Sequence, residues 1–466
     1  MTSLPLDLID YLCIAAYFAT IMVVAVIIRA KSLKTYWAND RATSTTMLTL
    51  STVATSVGSG MVFGIAAMAY TGGLIPLFLG VFNAVGILAA AVLAPRLREL
   101  AEKHSMYSLP DFFGAVYSRR CRLAGAAVNL LVYFFFLAAQ LIALGTICKM
   151  ITGLPEFVSL GLAFVLLVAY TFIGGMRTDI IADNIQFFIL ALLLVLLPIP
   201  ILRDREVLDG FKGLSSTYLT GSAMGGWPFV LGLLLFFTPV PLVMTDIWMR
   251  IYSAKSPQIA RRSLVASALI ILPFFVAFTF VGMAAQVLFP GIDPDTATTQ
   301  MIGRFLHPGL RGIAIAGLLA AVMSTADSML LITGLTMAKD IGATLSPALA
   351  GDERRLFVTA RVASITLAVA AILFALAIPD IVQTMVNAFS VLMILLPAVL
   401  SGMFAKRKDE AAAFWSILTG LLTTLALLLV IPKMAFVPGV LACLLTFGAM
   451  RLSSRLRLRN QVGTAQ

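Results

Sequence analysis

Residues 312–338, GIAIAGLLAAVMSTADSMLLITGLTMA, are apolar enough to cross a bilayer, yet the centre carries Ser324, Thr325, Asp327 and Ser328. Polar groups taken out of water must be paired with something. On a helix Ser324, Asp327 and Ser328 stand at i, i+3 and i+4 and share a face, and the carbonyl of Ala321 lies about one turn before the two adjacent hydroxyls. Those hydroxyls, joined by carbonyls freed from an unwound helix, make a set of mostly neutral oxygens. Such a set suits a monovalent cation better than Ca2+ or Mg2+. The hydroxyls also have an ordinary use, bonding back to the carbonyl four residues earlier or easing helix packing. Asp327 is expensive at mid-depth unless paired or protonated.

Free carbonyls require interrupted helices, and the sequence offers two. LSTVATSVGSGMVFGIAAMAYTGG has Ser56-Val57-Gly58-Ser59-Gly60 at its centre, where glycine weakens the helix. FVLGLLLFFTPVPLVMTDIWMR carries Pro239 and Pro241, which remove two backbone donors. The two lie five apolar segments apart, so each opens one half of a five-plus-five arrangement, residues 46–202 and 226–404. Because five is odd, the halves have opposite orientations. Paired broken helices in inverted halves point to a secondary transporter with a midplane site, since unwound backbone in a membrane must line a cavity or a site.

The rest of the chain agrees with an all-α polytopic membrane protein. It has 466 residues, 60% hydrophobic and 12% charged, where a soluble domain has about 25% charged. Thirteen apolar segments are counted, including an extra N-terminal helix at 8–29 and two extra helices at 411–451, all in one transport domain over 1–466. MTSLPLDLID lacks the basic start of a signal peptide, so the first helix is expected to be retained. With the N-terminus outside and the C-terminus inside, 26 of the 33 Lys and Arg fall on the inner side. The net charge of +11 is therefore expected to reflect inner loops rather than nucleic-acid binding. Four scattered cysteines and two loop histidines give no disulfide framework, metal cluster or nucleophile–base set, so an enzyme is not expected. The P-loop pattern of ATP-driven pumps is absent.

AAVMSTADSML, YSLPDFFGAVYSRR, GGMRTDIIADNIQFFIL and RIYSAKSPQIARRS, in order after the first broken helix, resemble the sodium/solute symporter family, which includes sodium/proline, sodium/sugar and sodium/sialic acid carriers. The resemblance covers about residues 35–405. It implies a LeuT-type inverted-repeat fold in the cytoplasmic membrane and Na+-driven symport, with Na+ as coupling ion and a monomer sufficient for transport. It implies a sodium site from the carbonyls of Ala54, Val57 and Ala321 and the hydroxyls of Ser324 and Thr325. It also implies a coupling role or second ion at Asp183, Asp327 and Ser328. An acid at Asp327 rather than a hydroxyl departs from the family pattern and puts that second ion in doubt. The solute positions do not carry over: Ser56, Gly58, Gly60 and Met61 stand where relatives often place acidic, amide or aromatic groups. Further lining candidates are Gln140, Asn129, Phe134 to Phe136, Thr238 and Met244. A small, partly apolar organic solute is expected, an amino acid or a short carboxylate. Two alternatives stay open: proton coupling through Asp183 or Asp327 on the same fold, and a transporter-like sensor or partner subunit that binds without pumping.

Overall fold

The computed structural model describes residue 4 and residues 6–28, 33–171, 175–221, 223–377, 380–428, 430 and 436–463. Lys433, one of the seven Lys and Arg left on the outer side by the sequence, and Gly174 of the GGMRTD motif lie outside the described residues, as does part of the 411–451 region expected to hold two helices. Among the described residues the regular elements are all helical, with one isolated bridge between Thr43 and Ala254. Ten helices among the described residues are long and apolar enough to cross a membrane, and an eleventh span is the bent pair Thr45–Ser56 and Gly60–Gly72. Two shorter apolar helices, Phe157–Val168 and Pro438–Ser454, fall below that length, so length and composition among the described residues do not reach the expected thirteen.

The helices that build the site are α1 (Leu8–Ile27), α2 (Thr45–Ser56), α3 (Ala66–Gly72), α4 (Ile75–His104), α5 (Arg119–Thr152), α6 (Met176–Leu196), α7 (Gly226–Phe237), α8 (Thr245–Ser253), α9 (Leu310–Leu335), α10 (Glu353–Ala377) and α11 (Ile381–Leu392). Helix α9 is the central post. The most apolar 18-residue stretch of its span is wholly buried, against α1, α2, α5, α6 and α10. That burial forces its polar centre to find partners within the protein.

Both breaks form. Helix α2 starts with Ser44 Oγ accepting from the Met47 amide and ends at Ser56. Val57 then leaves helical geometry (φ −93°, ψ 57°), and the chain resumes through a widened turn at Gly60–Ile65 into α3, bent by 55°. Gly58 is required here, because a Cβ at that position would sit 2.4 Å from Thr325 Oγ1. In the second half, α7 gives way at Thr238-Pro239 to a single tight turn, Val240–Leu242, before α8 begins. Proline at 239 and 241 denies that stretch two ladder bonds. Helix α4 closes on this break at Gly86, where a Cβ would lie 2.1 Å from the Thr238 carbonyl oxygen.

Candidate cation site and solute cavity

The two hydroxyls of α9 meet the end of α2. Ser324 Oγ lies 3.0 Å from the carbonyl oxygens of both Ala54 and Ala321. Thr325 Oγ1 lies 2.8 Å from the carbonyl of Thr55 and 3.2 Å from that of Ala321. Five neutral oxygens therefore converge where the α2 ladder stops. The ordinary back-bond to Ala321 is present, but each hydroxyl also reaches across to α2, which helix packing alone does not require. Thr325 meets Thr55 rather than Val57, which instead forms the turn with its amide donating to Val53 and Ala54. A monovalent cation would use the hydroxyl lone pairs once their hydrogens turn away from the carbonyls.

Beside these oxygens is a buried charged cluster. Asp183 Oδ2 accepts from Ser51 Oγ (2.6 Å), Thr55 Oγ1 (3.1 Å) and Arg250 (2.9 Å). Arg250 also donates to Ser51 Oγ, Thr55 Oγ1 and Ser328 Oγ, and Ser328 Oγ donates to Asp179. Carboxylate oxygens of Asp179, Asp183 and Asp327 come within 4.8 Å of one another. Asp183 Oδ1 is buried with no hydrogen-bond partner among the described residues. Thr55 ties this cluster to the cation oxygens, since its Oγ1 also lies 3.4 Å from the Ser324 carbonyl.

Arg250 corrects the charge assignment made from the sequence. This residue, which opens RIYSAKSPQIARRS and is one of the 26 Lys and Arg placed on the inner side, is in fact 1% exposed, because α8 carries it inward against acids from α6. Asp179, Ser51 and Thr55 were likewise not singled out. The tandem acids of TDIIADN and the opening Arg of RIYSAKS were the signals that could have found the ion pair.

Next to the cation oxygens is a cavity of about 170 Å3, and Thr325 borders both. Ser56, Gly58, Gly60, Met61, Gln140 and Met244 all line it, as does Phe136. Thr238 is not among its described lining residues, and its hydroxyl is buried without a partner in the second break. Asn129 is also elsewhere, donating to Thr336 Oγ1 and accepting from Thr245. Gln140 Oε1 accepts from the Ser59 amide at the unwound turn (3.0 Å), leaving its Nε2 buried and unbonded.

The fold has known counterparts. A Na+-coupled sialic acid symporter in a substrate-bound outward-open state superposes with TM-score 0.76 at 20% identity, covering 96% of this chain and 98% of that one. Mhp1, a nucleobase-cation-symport-1 family transporter in a closed conformation, superposes with TM-score 0.60 at 18% identity, covering 90% and 95%. In sequence, sodium/proline symporter 2 of Staphylococcus saprophyticus is 25% identical over 430 residues, 85% of this chain and 83% of the relative. The high-affinity proline transporter PutP of Bacillus subtilis is 25% identical over 375 residues, 74% and 76% of the two chains. The profile of the sodium:solute symporter family matches residues 36–420. The chain belongs to the sodium:solute symporter family, a family of multi-pass membrane transporters coupled to Na+.

Proposed function

We propose that this protein imports a small organic solute together with Na+ by alternating access across the cytoplasmic membrane. Ala54, Val57, Ala321, Ser324 and Thr325 hold the ion, and the Thr55 carbonyl, which meets Thr325, joins them. Ser56, Gly58, Gly60, Met61, Gln140, Thr238 and Met244 belong to the solute region, Thr238 by shaping the second break rather than by facing the cavity. The chain crosses the membrane thirteen times, N-terminus outside and C-terminus inside. Residues 46–202 and 226–404 form the inverted repeats, with 8–29 and 411–451 outside them, and a monomer suffices. An amino acid or short carboxylate is the solute class, in keeping with the proline carriers among its relatives.

The observation that carries this reading is Thr325, whose hydroxyl joins the converging oxygens while its side chain borders the cavity. An ion that fixes Thr325 against α2 fixes one wall of the solute site. Each ligand then raises the other's affinity, and the coupling is reciprocal. The test is uptake of labelled proline and other small amino acids into proteoliposomes under an inward Na+ gradient, with K+ as control. Accumulation driven only by Na+ is expected.

Three clustered acids against one arginine favour a second reading, in which protons or a further cation balance Asp183, Asp327 and Asp179. Accumulation under a pH gradient without Na+ would move the assignment to proton coupling through these acids.

A further inference from the structure

The cavity wall is mostly Met, Phe, Ile and Val, and one ionisable side chain stands out in it. Asp246 lines the cavity from the second position of α8, and no Lys, Arg or His is among the described lining residues. Its Oδ1 accepts from Tyr133 Oη at 2.6 Å, and Tyr133 in turn accepts from the Asp246 amide at 3.0 Å. Tyr133 is the only side chain bonded to this carboxylate among the described residues. The nearest cation, Arg250, sits one turn along the same helix, but its guanidinium bonds to Asp183, Ser51, Thr55, Ser328 and the Asp246 backbone carbonyl, not to the Asp246 carboxylate. The first turn of a helix favours a negative charge at this position. A carboxylate held there by a tyrosine, facing an apolar chamber, lacks a counter-charge that a ligand can bring.

Two more unpaired groups face the same space. Among the described residues Gln140 Nε2 is a buried donor without a partner and Asn83 Oδ1 a buried acceptor without one, both on lining residues. A cavity near 150 Å3 accommodates a benzene-sized molecule, so this one takes about six to ten non-hydrogen atoms.

Building on the symport reading above, we infer that Asp246 is the specificity-determining residue of the solute site: the transported solute carries a protonated nitrogen, recognised by Asp246, on a compact apolar skeleton with an oxygen acceptor for Gln140. Short carboxylates without an amine are rejected, because their charge repels Asp246 and finds no cation in the chamber.

Three probes with one skeleton test this: cyclopentylamine, cyclopentanecarboxylate and 1-aminocyclopentanecarboxylate. Their affinities are read from thermal unfolding of the purified full-length protein in NaCl and in KCl, for wild type and Asp246→Asn. The amino acid is expected to bind at least ten-fold tighter than the amine-free carboxylate in NaCl. Asp246→Asn, which keeps an acceptor for Tyr133, is expected to weaken the two amine probes at least ten-fold while stabilisation by Na+ alone persists. Carboxylate binding as tight as that of the amino acid would overturn the proposal, as would failure of both amine probes to bind. So would loss of Na+ stabilisation in a folded Asp246→Asn protein, which would make Asp246 an ion ligand. If the variant does not fold, the ranking of the three probes on wild type decides alone. A wild-type protein indifferent to Na+ that still prefers the amines would refute Na+ symport and leave the role of Asp246 standing.

Discussion

The two broken helices solve the same problem with different residues. At the first break, glycine and serine let α2 stop, so that carbonyls of Ala54 and Thr55 meet hydroxyls of α9 without any charge. At the second, Pro239 and Pro241 stop α7, and the helix that restarts there carries Asp246 and Arg250 into the interior. Neutral dipoles suit a small ion that must bind and leave. Fixed charges suit a framework pinned in place, as with Arg250, or the selection of a charged solute, as with Asp246. If the first binds Na+ and the second the solute, as proposed, placing them side by side with Thr325 and Thr55 as the links lets one conformational equilibrium respond to both ligands.

If the second break supplies charge to the framework, its disruption should have the largest effect. Arg250→Ala leaves Asp183 and Asp179 buried without their cation and is expected to cost about 3–5 kcal/mol of stability, read from thermal unfolding in detergent. Adding Asp183→Asn should recover part of that loss, since the two residues are in contact and their effects do not add. Simple additivity would mean that the ion pair is not what holds the cluster.

The glycines at the two breaks separate the ion from the solute. Gly58→Ala drives a methyl group into Thr325 and is expected to cost about 1–3 kcal/mol and to abolish stabilisation by Na+. Gly86→Ala presses instead on the Thr238 carbonyl and Pro241. It should cost a similar amount, about 1–3 kcal/mol, but weaken solute binding while leaving Na+ stabilisation in place. The comparison fails if Gly86→Ala also abolishes stabilisation by Na+, or if Gly58→Ala leaves it intact.

The smallest effect on ligand binding is expected at the edge of the charged cluster. Ser328→Ala removes one hydroxyl between the charged Arg250 and Asp179, worth about 1.5–3 kcal/mol, and should leave the Na+ midpoint unchanged. A large shift in that midpoint would place Ser328 among the ion's ligands.

These contrasts also explain what could be read from the sequence. The breaks were legible because Gly-Ser and Pro-X-Pro act on their own backbone, whatever surrounds them. The hydroxyl pair was legible because helical spacing puts Ser324 and Thr325 one turn from Ala321. Arg250 was not, because a cation just before YSAKSPQ reads as an inner-loop residue. Its burial depends on Asp183, 67 positions earlier, and on a packing that no local pattern encodes. Asp246 was hidden for the same reason, since only the assembled wall of Met and Phe shows that it is the lone ionisable group among the described lining residues. Thr238 shows the converse: the break was correctly located, but which of its side chains faces the cavity depends on how α4 closes on it at Gly86.

In the proposed symport cycle everything rests on Na+ binding to the neutral oxygens at the first break. Its most direct test is thermal unfolding of purified wild type and Ser324→Ala/Thr325→Ala across NaCl, KCl and choline chloride at equal ionic strength. A ligand that binds only the folded state stabilises by RT ln(1 + [L]/Kd), about 2.7 kcal/mol at one hundred times Kd. Saturable stabilisation of wild type by NaCl alone, absent in the double variant, is the predicted result. Equal responses to the three salts in wild type, or an undiminished response to Na+ in a folded variant, would contradict it.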